Sequence, residues 1–113
     1  TGREVARVYL QRCGFLVDEA FGGSDCLKQL KANKYDLIIM DLQMPELDGF
    51  ETTEQIRQRE RESNHQCTPI LGLSASVIGE VWSKCESVGM SGYLSKPFET
   101  DELKQKVRQL LTD

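Results

Sequence analysis

The chain has 113 residues, 39% of them apolar and 28% charged, with a formal net charge of −4. That length suits one domain around one core, and the acidic balance does not suit a nucleic-acid binder, which needs a basic face. No apolar run reaches the ~18 residues of a membrane span, and Thr1-Gly2-Arg3-Glu4 has no signal-peptide character.

Arg3 to Cys13 carries apolar residues at helical spacing, and Gly14 can stop that helix. Phe15 to Ala20 is short and apolar-rich, which predicts a strand. Gly22-Gly23-Ser24 predicts a turn with Ser24 as N-cap, and Asp25 to Ala32 a helix with Leu27 and Leu30 on one face. Tyr35 to Asp41 follows, and its Leu-Ile-Ile-Met run predicts a strand buried on both faces. Leu42 to Gly49 is a loop, and Phe50 to Glu62 is helix-prone. After a loop over Ser63–Thr68, Pro69 to Leu73 predicts another buried strand. Small residues Ser74 to Ser76 lead into a helix over Val77–Val88, closed by Gly89. Gly92 to Ser95 predicts a last strand, ended by Lys96-Pro97. Thr100 can cap a final helix whose buried stripe is Leu103, Val107 and Leu110. Short apolar strands alternating with amphipathic helices predict an α/β domain, a parallel sheet with helices on both faces.

Ligands of such sheets bind beyond the carboxyl ends of the strands. Asp41, Ser74 and Lys96 are expected there, each from a different strand. Alone, each has a plain reading as a turn residue, a loop hydroxyl and a surface charge. Together they suit phosphoryl chemistry. A carboxylate can attack phosphorus, while an ammonium and a hydroxyl can stabilise the charge on the equatorial oxygens. The four cysteines, Cys13, Cys26, Cys67 and Cys85, form no C-x-x-C pair, and His65 is the one histidine, so zinc is not expected. Reduced thiols in a cytoplasmic protein are the plain reading.

The segment Met40-Asp41-Leu42-Gln43-Met44-Pro45-Glu46-Leu47-Asp48-Gly49 resembles the phosphoacceptor segment of response-regulator receiver domains, especially those of hybrid sensor histidine kinases. Leu71-Gly72-Leu73-Ser74-Ala75 resembles that family's switch strand. Gly89 to Phe98, with Tyr93 and Lys96-Pro97, resembles the segment bearing the switch aromatic and the phosphate-binding lysine. The likeness runs from about Arg3 to Leu111 and treats residues 1–113 as a single receiver domain. It implies a flavodoxin-like doubly wound sheet with the family's strand order 2-1-3-4-5. It implies Asp41 as phosphoacceptor, Lys96 on the phosphoryl group, Ser74 and Tyr93 as the switch pair, and Mg²⁺ held by Asp41 and the peptide carbonyl of Gln43. Pro97 would follow a cis peptide bond. The implied partner is a histidine kinase or histidine phosphotransfer domain, with neither direct nucleic-acid contact nor membrane insertion.

The sequence departs from the family at its start. Receivers usually open with a strand ending in an acidic pair that holds the metal, and no such strand precedes Arg3. The expectation is an N-terminally incomplete receiver, with a vacant place between Phe15–Ala20 and Tyr35–Met40. Another segment, or strand exchange between two chains, would have to fill it. Such a chain would take phosphate slowly or not at all, and a pseudo-receiver interaction module is the alternative function. A dehalogenase-type phosphatase would need a second Asp where Gln43 stands, and a flavin binder would need a Ser/Thr-rich loop that is missing.

Overall fold

The computed structural model describes residues 2–18, 22–41, 49–63, 67–74, 79–95 and 98–112. Residues 2–6, 41, 79–81 and 112 are described by their backbone alone. The elements run α1 (Gly2–Arg12), α2 (Gly23–Ala32), β1 (Ile38–Asp41), α3 (Gly49–Ser63), β2 (Ile70–Ser74), α4 (Gly79–Val88), β3 (Gly92–Ser95) and α5 (Thr100–Thr112). The three strands form one parallel sheet in the order β1-β2-β3.

Each face of the sheet carries its own core. Ile38, Met40 and Ile70 pack with Leu27 of α2, Ile56 of α3, and Cys85 and Val88 of α4. Leu71, Leu73 and Leu94 pack with Leu10 of α1, and Leu103 and Val107 of α5. Alternate residues of a strand point to opposite faces, so Ile70 and Leu71 serve different cores. All of β2 is buried, as a central parallel strand must be. The doubly wound α/β class expected from the sequence is the one observed.

Two helices end as their sequences foretell. After α1, Gly14 adopts φ +95°. Its amide donates to the Gln11 carbonyl, and the Phe15 amide donates to the Leu10 carbonyl, each at 3.1 Å. After α4, Gly89 adopts φ +101°, with Gly89 bonded to Glu86 and Met90 to Cys85 in the same pattern. That pair of hydrogen bonds closes a helix through a left-handed residue, which favours glycine.

Three expectations need correction. The strand expected over Phe15–Ala20 does not form in its described part. Phe15–Asp18 has no ladder partner, and Leu16 is 102% exposed. A strand exists only through a neighbour, and none lies beside this segment among the described residues. The N-terminal caps also shift. Gly22, not Ser24, precedes α2, and no side chain caps it. Glu99, not Thr100, precedes α5, and its amide donates to Glu102 Oε1 at 3.2 Å. The acid in the first turn thus turns back on the chain, as in half of a capping box.

Candidate functional site

The strands end together. Asp41 is the last residue of β1 and pairs with Leu73. Ser74 is the last residue of β2 and pairs with Ser95, the last residue of β3. The carboxyl ends of three adjacent parallel strands therefore lie along one edge, with Asp41 and Ser74 at their tips. Lys96 and Gln43, with the expected cis bond at Pro97, lie outside the described residues. Asp41 belongs to the ladder rather than to the loop after it, so its backbone is fixed by the sheet.

Ser74 is 6% exposed. By alternation it shares a sheet face with Ile70 and Gly72, the face covered by α3 and α4. Tyr93 stands opposite Gly72 in the register, so it lies on that same face. A hydroxyl and an aromatic ring thus occupy one surface of the sheet, two rungs apart, and Gly72 places no side chain beside the ring.

The sequence did not reveal what holds Tyr93. Its ring centroid lies 4.3 Å from that of Trp82 on α4, with the planes at 42°. Lys106 Nζ of α5 stands 5.9 Å from the same ring. Trp82, Tyr93, Lys106, Gln109 and Leu110 line a shallow groove between α4 and α5. The spacing of Trp82 and buried Cys85, one helical turn apart, was the available signal that Trp82 sits on the inner flank of α4.

Far from this edge, at the amino end of β2, Arg57 of α3 ties three segments together. Its Nε donates to the Gly89 carbonyl at 2.9 Å, and its Nη1 to Glu60 Oε1 at 2.7 Å and the Thr68 carbonyl at 2.8 Å. Glu60 in turn accepts the Thr68 amide at 2.8 Å. This cluster braces the entry to β2.

Among the described residues, no group of three His, Cys, Asp or Glu comes together. Mg²⁺ takes near-octahedral oxygen ligation, so the described donors do not by themselves make a site for it. No helix among the described residues is long and apolar enough to cross a membrane.

The family model for the response regulator receiver domain matches residues 1–108. The chain is 41% identical over 103 residues to hybrid signal transduction histidine kinase E of Dictyostelium discoideum, covering 90% of this chain and 6% of that one. Among solved structures, chemotaxis protein CheY4 of Vibrio cholerae superposes with a TM-score of 0.86 at 30% identity, covering 96% of this chain and 88% of that one. The receiver domain of sensor histidine kinase PA1611 from Pseudomonas aeruginosa gives 0.86 at 28% identity, covering 99% and 89%; that structure has a magnesium ion in its active-site cleft. The chain spans only 5% to 13% of the length of the curated histidine kinases it matches.

Proposed function

The chain belongs to the response regulator receiver family of two-component signalling, and on that premise we propose that residues 1–113 act as a phosphoacceptor domain, with Asp41 as the residue phosphorylated. The observation that carries this reading is the register that sets Asp41 and Ser74 at neighbouring strand tips on one edge of the sheet, with Ser95, the residue before Lys96, at the third.

The donor would be a phosphohistidine on a histidine kinase or phosphotransfer domain in the cytoplasm. An Asp41 carboxylate oxygen forms a bond to phosphorus as the bond from phosphorus to the imidazole nitrogen breaks, and the imidazole leaves with a proton. Lys96 neutralises charge on the transferred oxygens, and Ser74 donates a hydrogen bond to one of them. Tyr93, on the same sheet face, follows Ser74 and remodels the surface of α4 and β3. Mg²⁺ belongs to this reading as a counter-charge that Asp41 and the Gln43 carbonyl would help to hold.

The test is incubation with Mg²⁺ and acetyl phosphate, followed by intact-mass and peptide analysis. A slow gain of one phosphoryl group that disappears in Asp41→Asn supports the reading. An equal gain in Asp41→Asn, or no gain at saturating donor, overturns it, and the second result favours an interaction module that takes no phosphate.

A further inference from the structure

Tyr93 is held from outside the strand that bears it. Its ring lines the groove between α4 and α5, stacked on Trp82 at 4.3 Å and approached by Lys106 at 5.9 Å. Trp82 is itself anchored, being partly buried against the core that contains Cys85 and Val88 of its own helix. Nothing from β2 stands beside Tyr93, because its register partner is Gly72, and Ser74 lies two residues further along the same face.

We propose that Trp82 is a positioning residue for the Tyr93 switch: by stacking on the ring from α4 it holds Tyr93 in the groove, and so sets how readily phosphorylation moves it. The inference rests on the phosphoacceptor reading above. A contact biases a two-state equilibrium only if it is made in one state and lost in the other. The Trp82–Tyr93 stack meets that condition if Tyr93 leaves the groove. Offset or tilted aromatic pairs shift such an equilibrium by about two- to tenfold beyond simple burial. Lys106 stands near the ~6 Å limit of a cation–π contact, so it contributes less. The tryptophan therefore dominates the hold on the ring.

Trp82 is the sole tryptophan of the sequence, which makes it its own reporter. Trp82→Leu keeps an apolar side chain at the site and removes the stack, and Trp82→Phe keeps a ring. Urea unfolding first confirms that each variant is folded, and Trp82→Met replaces the leucine variant if that one is not. Three quantities are then read: the NMR shifts of the Tyr93 ring protons, the rate of phosphoryl gain from acetyl phosphate with Mg²⁺, and the tryptophan fluorescence of the wild type during that gain. The expected result is a changed Tyr93 ring environment and a roughly two- to tenfold faster gain in Trp82→Leu. Trp82→Phe should stay near wild type, and wild-type fluorescence should change as phosphate is added. A merely structural role would lower stability and leave the rate unmoved. Phosphoryl gain on Asp41 at equal rates in wild type and Trp82→Leu overturns the inference alone. Absence of gain in every form overturns the phosphoacceptor reading and removes the switch with it.

Discussion

Arg57 and Gly89 fit one another as donor and vacancy. The Arg57 Nε bonds the Gly89 carbonyl at 2.9 Å, and a Cβ added at Gly89 would meet Arg57 Cγ at 2.9 Å. Gly89→Ala therefore faces both a positive φ and a collision, and should lower stability by about 1–3 kcal/mol. Arg57→Ala should cost a similar amount, about 1–3 kcal/mol, because the Gly89 and Thr68 carbonyls and Glu60 lose a partner in a site where Arg57 is 11% exposed. Urea unfolding midpoints check both. If the two effects are independent, the double variant will show their sum; shared space predicts less.

The two ends of the exposure range make a second contrast. Leu103 is fully buried and Leu16 fully exposed. Leu103→Ala should destabilise the domain by roughly 2–5 kcal/mol, through lost burial and the cavity left between α5 and the sheet. Leu16→Ser should stay within about 0.5 kcal/mol. Thermal unfolding of the two variants measures the difference directly.

On the same proposed reading, Ser74 offers a test of how phosphate at Asp41 is coupled to Tyr93. Ser74→Ala should still accept phosphate on Asp41, while the fluorescence response of Trp82 to that phosphate weakens. Loss of one hydrogen bond to a charged group, worth about 1.5 kcal/mol, corresponds to roughly a tenfold shift in the switch equilibrium. Parallel mass and fluorescence traces on the variant read the two effects apart.

Tyr35 gives a pH prediction. Its hydroxyl donates to Asp18 Oδ2 at 2.6 Å, and that bond to a carboxylate, with a smaller push from burial, raises the phenol above its ordinary range. The neutral form is the one the fold favours. Its stabilising effect is thus fully present below the unfolded phenol pKa of about 10 and is lost as pH rises through the folded value. The stability difference between wild type and Tyr35→Phe should be constant near neutrality and shrink in alkali. Unfolding midpoints of both proteins across that range show the trend, and Asp18→Asn should bring the phenol's titration back down.

Much of this architecture can be read from residue order, and the reasons are local. Ile70-Leu71-Gly72-Leu73 is apolar without interruption because both faces are covered. Leu103, Val107 and Leu110 mark the inner stripe of α5. Gly14 and Gly89 stop their helices because the closing residue needs a positive φ. Phe15-Leu16-Val17 misled because a strand's propensity is local but its existence depends on a neighbour. The caps misled by one or two residues because several polar residues compete at each helix start. At the site, Asp41 and Ser74 were legible as residues delivered by the strand tips, though not as the last rungs of the ladder itself. The Trp82–Tyr93 stack was not, because it depends on how α4 lies against the sheet, which no local pattern encodes.

On the proposed phosphoacceptor reading, the ladder position of Asp41 carries a consequence for kinetics. A nucleophile on a free loop must be found in the right place by chance at every encounter. Here the final rung to Leu73 hands the anchoring of that residue to β2, the best-shielded strand described. Lesions that loosen β2 at its far end, around Ile70 and the Arg57 brace, should then register as slower phosphate capture at the opposite tip, without any change in the groups that touch phosphorus.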